Sequence, residues 1–529
     1  MKQWWQVQRW PVVGLSALYW VLTIPFVSRL PYNWDAAQFV LALRHYEIGM
    51  HQPHPPGYPL FVVLGKLLNL VVSENLALVI IAALFGYVSV LVLYTFCYRL
   101  WPHRWGSSVI AVAWMLNPLF WLYRETALTY TVDAAASITV GYLVWQTMTN
   151  RSRQYVLLSS SVLAVAGAIR PSLVVFLLPV FIFQLSFHRR NWKLVLVSFG
   201  ILTVGTLAWL IPVMWFTGGV EGYLTESRNL YGASAANSNI LEQTKLVLNT
   251  LLISLNFVLI PLIASIVLLA IRYRRYWRRF ITLYIFAAVW VLPAMLIYSL
   301  GHFGQLGYAL IFIPPFYLLL IPIAQLAIDR WLGRWLMVMD LVLVSLIFLV
   351  LTPSYAHPNF FPHTRAELYL QHLARRAPNL FKLNAASLRE SDQKLANLAQ
   401  AIQLYPIDQT LIVTGRDMLY PSPANGLLIR NDEVFRELSA LLPDYHIVEV
   451  APDRDYYLSA QANLMETSYS QEIILPNNLR YVIFALDVLP NEQPNTMLTT
   501  AQAGYHLGIM DGAWSMAGFT FRREADQSD

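Results

Sequence analysis

The sequence predicts an α-helical polytopic membrane protein with an external α/β or α+β domain at its C-terminal end. Three observations lead there. Of its 529 residues 57% are hydrophobic and only 12% are charged, about half the charged share of an ordinary soluble domain. Apolar segments recur that reach the ~17 to 25 residues needed to cross a bilayer. Finally, charge is split: from Pro353 onward 13 Lys and Arg face 20 Asp and Glu, although the whole chain carries a formal +6.

About eleven spans are expected, at 11–27, 76–97, 105–121, 126–148, 154–168, 172–187, 194–215, 245–270, 280–299, 308–327 and 334–352. The first is read as retained, because it outruns a signal-peptide core and ends in Phe-Val-Ser-Arg without a small-residue cleavage site. With Lys2 and Arg9 in the cytoplasm, alternate connections read "YRLWPHRW", "NRSRQ", "HRRNWK", "RYRRYWRR" and "DRWLGR". All are basic, as the positive-inside tendency requires. The opposite connections, 28–75, 122–125, 169–171, 216–244, 300–307 and everything after 352, hold most of the acidic residues.

Two segments qualify this scheme. The short spans 154–168 and 172–187 can be half-helices that meet at Arg170-Pro171 inside protein. Residues 57–72 are apolar enough to cross, yet a crossing there would invert every later basic connection, so a surface-lying or re-entrant helix is expected. The domain division follows as 1–352 in the membrane and 353–529 outside it.

In the C-terminal part, "RAELYLQHLARR" and "SDQKLANLAQAIQLY" read as helices, and "QTLIVTG", "YHIVEV" and "RYVIFALD" as short strands. "VTGRD" lacks the spacing of a nucleotide phosphate loop. Nucleic acid is excluded as a partner, because the basic excess sits in membrane connections, where it records orientation. Cys97 is the only cysteine, which rules out an intrachain disulfide and a cysteine-based metal cluster.

The chemistry-bearing residues concentrate in "LPYNWDAAQFVLALRHYEIGMHQPHPPGYPLF", residues 30–61. Asp35 is placed either to accept a proton from a hydroxyl or simply to cap the helix that follows. Glu47 reads as a surface residue unless the chain turns it back toward Asp35. In "HQPHPPGYP" the prolines fix an extended segment that would hold His54 and Tyr58 stiffly, or would serve as an elbow. A divalent metal on His45, His51 and His54 has no recognised ligand spacing behind it, so no cofactor is firmly implied.

Further along, Arg124 and Glu125 fall in a very short connection, Asp133 in the next span and Arg170 between two apolar segments. Intramembrane charges face a cavity or a partner. Arg170 suits a phosphate by its guanidinium geometry, or an ion pair with Asp133 or Glu125. Arg228, His302 and Gln305 offer donors to an anionic lipid headgroup, unless "GHFGQLG" is only a turn.

A first span, an external Asp, an interfacial helix and "HPPGYPLFVVLG" together resemble the GT-C superfamily of integral-membrane glycosyltransferases. The likeness is nearest to the bacterial protein-O-mannosyltransferase-like group, and "AIRPSLVVFLLP" and "GQLGYALIFIPP" are similar to its later segments. The resemblance implies a multi-pass protein of the bacterial inner membrane that takes a sugar from a polyprenyl-phosphate or polyprenyl-diphosphate carrier on the external leaflet and usually inverts the anomeric centre. It implies Asp35 as catalytic base, His54 as a residue shaping the site, and Arg170 with Arg124 or Arg228 on the donor phosphate. The chain departs from several relatives in having Gln38 where they carry a second acid, a place Glu47 would have to take. The acceptor is open among protein, lipid and glycan. Two other classes share these features: a transporter or flippase of an anionic lipid-linked glycan, and an envelope assembly scaffold.

Overall fold

The computed structural model describes residues 2–235, 239–252, 254–255, 274–301, 303–327, 331–350, 364, 367–371, 383–416, 419–421, 428–430, 434–451, 456–462, 464–486, 496–502, 505–509 and 512–524. They form two compact units, Met1–Ser28 with Pro55–Arg389, and Arg29–His54 with Glu390–Asp529. The chain therefore does not divide in space where its composition changes, at 352/353. The first connection packs with the C-terminal part.

The first unit is helical among the described residues. Helices Lys2–Thr23, Glu74–Leu100, Tyr130–Asn150, Arg153–Ile169, Ser172–Ser186, Trp192–Phe216, Arg274–Leu300 and Trp331–Val350 lie where spans were expected. By length and composition, however, only three helical stretches among the described residues can cross a membrane alone: Glu74–Leu100, Trp192–Phe216 and Phe280–Leu300. The expected span 105–121 is two helices, Arg104–Met115 and Pro118–Arg124, bent by 66°, which make a fourth if counted together. The break has a local cause. Asn117 caps the second helix by accepting from the Phe120 N–H at 3.0 Å, and Pro118 begins it, so the first helix cannot run on.

Other differences from eleven continuous spans are also traceable. Pro314, Pro315 and Pro322 break 308–327 into a 3₁₀ turn and the short helices Pro314–Leu318 and Ile321–Ala327. Arg153–Ile169 and Ser172–Ser186 have 17 and 15 residues, and most of 245–270 lies outside the described residues. Pro59–Asn69 has 11 residues, roughly 16 Å of rise, and is too short to cross by itself. The helix Trp192–Phe216 leaves Trp215 80% and Phe216 74% exposed, a surface suited to lipid and not to water.

The second unit is built on a seven-stranded mixed sheet. Its strands are β1 (Thr410–Gly415), β4 (His446–Ala451), β5 (Tyr456–Gln461), β6 (Leu464–Ser468), β8 (Tyr481–Phe484), β9 (Thr496–Gln502) and β10 (Tyr505–Ile509), ordered β6-β5-β4-β1-β8-β10-β9. Strands β4, β1 and β8 are parallel, with Leu411 opposite His446 and Val482; the outer strands are antiparallel. A three-stranded sheet of β7 (Glu472–Leu475), β11 (Trp514–Met516) and β12 (Phe519–Arg523) supplies Trp514, Met516, Phe519 and Phe521 to a common core with Leu411, Val413, Val450 and Phe484. Strands β2 (Leu419–Pro421) and β3 (Leu428–Arg430) form a separate pair. Helix Phe435–Leu441 lies against β4, and helix Trp34–Arg44 of the first connection lies against Phe435–Leu441.

Candidate functional site

Helix Trp34–Arg44 carries Asp35. Its start is set by Asn33, whose side-chain oxygen accepts from the Ala36 N–H at 3.1 Å; Asn33, not Asp35, is the cap. Asp35 is half-buried in the first turn, where the partial positive charge of a helix N-terminus stabilises a carboxylate. Buried Gln38 lies on the same helix, and the His54 Nδ1 stands 2.6 Å from its Oε1. An amide oxygen only accepts, so Nδ1 carries the hydrogen and, in the neutral ring, Nε2 holds the lone pair. The imidazole packs on Phe39 with ring centroids 5.6 Å apart. Gln38 thus orients His54.

Glu47 is placed differently. It lies past the C-terminal end of this helix, and Asp35 lies in the first turn, with roughly 13 Å of helical rise between Asp35 and Arg44. Glu47 Oε2 is 2.9 Å from His45 Nε2, and both side chains are about half exposed. Its backbone makes an isolated bridge with Gln52. The structure therefore puts Glu47 at the opposite end of the helix from Asp35. His45, His51 and His54 form no metal-holding group among the described residues.

His51, in the left-handed region at φ 55, is pushed down to about 3, first by burial and then by the charges of Arg436, His54 and Arg416. Folded His51 stays neutral while the opened loop can take a proton below its ordinary value near 6.5. The stability it contributes is therefore full above pH 6.5 and is lost as pH falls from there toward 3. We expect local opening of residues 45–54, followed by hydrogen exchange, to become easier by about 1 to 2 kcal/mol between pH 7 and pH 5. In His51→Gln that pH dependence should be largely gone.

The first unit holds a second group of polar residues. Arg170 closes helix Arg153–Ile169 and forms a 2.7 Å ion pair with Asp133 of Tyr130–Asn150, both side chains being buried. The guanidinium lies 4.7 Å from the Tyr130 ring centroid and 5.0 Å from that of Tyr308. Tyr58 and Tyr298 lie in the neighbourhood of the guanidinium, and Tyr298 stacks on Tyr308 at 5.3 Å. Arg170 and Tyr58, both expected at the substrate, thus belong to one cluster. Gly307 permits it, because a Cβ there would run into the Tyr130 ring. Gly307→Ala should destabilise the protein by about 1 to 3 kcal/mol, read as a lower unfolding midpoint in detergent.

The other expected contacts are dispersed. Arg124 is fully buried and spends its donors inward, on Glu125 at 3.1 Å, the Met115 carbonyl at 3.2 Å and the Leu22 carbonyl at 3.0 Å. Tyr19, Phe120 and Trp121 enclose it, so its role is to hold the bent helix pair against the first helix. Arg228 is exposed on Gly219–Ala235. Gln305 is half-buried, and its carbonyl accepts from the Tyr308 N–H at 3.2 Å. His302 lies outside the described residues.

Sequence reasoning missed the residues that surround these. Tyr130 lies near Asp133 in the sequence and Tyr298 and Tyr308 flank "GHFGQLG", and a tyrosine next to a charge in an apolar segment is itself a signal. Trp34 meets Arg416 at 5.0 Å and Arg436 at 5.4 Å. Those arginines stand almost four hundred residues away, and nothing local announces the contact.

Comparison with known proteins places these groups in context. Residues 35–195 match the family model described as "Protein O-mannosyl-transferase TMEM260 N-terminal domain". That range starts at Asp35 and includes His54, Tyr58, Asp133 and Arg170. The protein O-mannosyl-transferase tmem260 of Dictyostelium discoideum is 22% identical over 141 residues, 26% of this chain. The match spans only 16% of that relative's length. Among solved structures, ArnT from Cupriavidus metallidurans bound to undecaprenyl phosphate is similar with a TM-score of 0.58 at 13% identity, covering 95% of this chain and 98% of that one. The apo state of the same protein gives a TM-score of 0.50 at 14% identity, with 83% and 85% covered.

Proposed function

We propose that this chain, a GT-C-fold membrane protein related to the bacterial ArnT- and O-mannosyltransferase-like proteins, transfers a sugar from a polyprenyl-phosphate carrier to an acceptor hydroxyl. The observation that carries the reading is the fold likeness over 95% of the chain to a protein solved with undecaprenyl phosphate. Asp35 is assigned as the base from its place in the first turn of helix Trp34–Arg44, within the residues the family model matches. That family's description makes a mannose-class hexose the first donor sugar to try.

In this reading Asp35 takes the acceptor proton as the acceptor oxygen bonds to the sugar C1 and the C1–O bond to phosphate breaks. The polyprenyl phosphate leaves with the bonding electrons, and the Arg170 guanidinium, with Tyr58 beside it, stabilises the charge it gains. A single displacement inverts C1, as it does at inverting glycosidases. His54, turned by Gln38, shapes the acceptor side. Asp35 acts as a single carboxylate, since Glu47 stands at the other end of the helix, and Arg124 belongs to the framework.

The membrane scheme belongs to the same proposal. It has about eleven spans, several of them broken, in a bacterial inner membrane, with the N-terminus cytoplasmic and residues 353–529 outside. The alternation of basic connections supports it. Transfer from undecaprenyl-phosphate-linked mannose by the reconstituted chain tests the reading, and no sugar leaving the carrier in any acceptor mixture would count against it.

A further inference from the structure

The first connection is docked on the C-terminal part of its unit from Arg29 to Arg44. The Arg29 and Leu30 N–H groups donate to the Asp392 carboxylate at 2.8 and 3.1 Å. Ser391 Oγ donates to the Tyr32 carbonyl at 3.2 Å. At the far end of helix Trp34–Arg44, Arg44 Nη2 donates to the Ala440 carbonyl at 2.7 Å. Between these, Trp34 lies under the guanidinia of Arg416 and Arg436.

The place where Trp34 docks is informative. Arg416 directly follows β1, the strand flanked by parallel β4 on one side and parallel β8 on the other. The crevice outside the carboxyl ends at such a switch point is where open α/β sheets hold ligands. Here Arg416 donates its N–H to the Val450 carbonyl at 2.9 Å and its Nη1 to the Tyr456 hydroxyl at 3.3 Å, and its guanidinium faces the Trp34 ring. Trp34 thus docks on the arginine that directly follows β1, on the β4 and β5 side of that strand. Trp34 and Asp35 are neighbours in one helical turn, so fixing the indole fixes where the Asp35 carboxylate can reach.

We infer that the C-terminal sheet is a positioning platform for the catalytic helix, with Trp34 and Arg416 as the positioning residues that hold Asp35 in place for proton transfer. The inference rests on the transfer reading above and assigns a role to a domain whose sequence carries no ligand motif. Misplacing a general base by about 1 Å costs on the order of 100-fold in rate without weakening the binding of a donor held elsewhere. The expected signature is therefore a fall in kcat with donor KM little changed.

The test uses the full-length chain in lipid nanodiscs, with undecaprenyl-phosphate-linked mannose as donor and an envelope extract as acceptor. Trp34→Leu should lower kcat about 10- to 100-fold, leave donor KM within about twofold, and speed amide exchange across residues 34–44. Trp34→Phe, which keeps a ring for the guanidinia, should recover most of kcat, and Arg416→Met should resemble Trp34→Leu. Active wild type with undiminished kcat in Trp34→Leu overturns the inference alone. So does a Trp34→Phe variant as defective as Trp34→Leu, or a loss confined to KM. If the wild type moves no sugar from the carrier, the transfer reading fails and this inference falls with it.

Discussion

Asp35→Asn should reduce sugar transfer by about 100- to 10,000-fold, the range that a positioned general base contributes, while leaving the fold intact. The substitution keeps the size of the side chain and its place in the first turn of Trp34–Arg44, whose start is fixed by Asn33. What it removes is the ability to accept a proton from the acceptor hydroxyl. Donor KM should change little, because the donor phosphate is assigned to Arg170 and not to Asp35, and the unfolding midpoint in detergent should stay near that of wild type. Glu47→Gln, by contrast, should be close to neutral. Its carboxylate is about half exposed and, among the described residues, pairs with an equally exposed His45, and such pairs contribute little.

The largest stability effect should come from the Arg170–Asp133 pair. Arg170→Met leaves the buried Asp133 carboxylate without its 2.7 Å partner, a loss on the order of 3 to 5 kcal/mol. Replacing both, as Arg170→Met with Asp133→Leu, should restore most of that stability, because a buried pair exchanged for apolar groups of similar volume is often neutral or stabilising. Activity should not return with it. If Arg170 meets the donor phosphate, the double variant unfolds like wild type in a thermal scan and still transfers at least about 100-fold more slowly. A double variant that recovers both would make the pair purely structural and move the donor site elsewhere.

How much of this was legible in the sequence depended on range. Hydropathy located most of the helices of the first unit, because burial in lipid leaves a run of apolar residues that any window detects. It could not tell a continuous span from the bent pair at Asn117-Pro118, although a capping Asn followed by Pro is the local mark of a new helix. Strands β1, β4 and β8 were legible because their buried apolar runs are short and bounded by turns. Asp35 stands out as a candidate by its setting, and His54 by the prolines around it. The partner of His54 was read only as a departure, Gln38 in place of an acid, and proved to be the group that orients the ring. Arg416 and Arg436 could not have been linked to Trp34 by any local pattern. The spacing between them is set by how the C-terminal sheet folds, and periodicity carries no record of that.

Arg124 marks a different limit. An arginine in a short connection between apolar segments reads equally as a ligand for an anion and as a framework cation. Only the three inward bonds and the enclosing Tyr19, Phe120 and Trp121 rings decide it. Arg170 differs in kind, since its cluster includes Tyr58 and the Tyr298–Tyr308 stack from three separate parts of the sequence.

The most direct measurement follows the carrier and the sugar together in proteoliposomes holding the full-length chain, an envelope extract and undecaprenyl-phosphate-linked mannose, with other undecaprenyl-phosphate-linked sugars in parallel. The transfer reading predicts that undecaprenyl phosphate is released in step with sugar appearing on an acceptor, and that Asp35→Asn stops both. Intact carrier that crosses the bilayer with its sugar still attached, or release unchanged in Asp35→Asn, would contradict it.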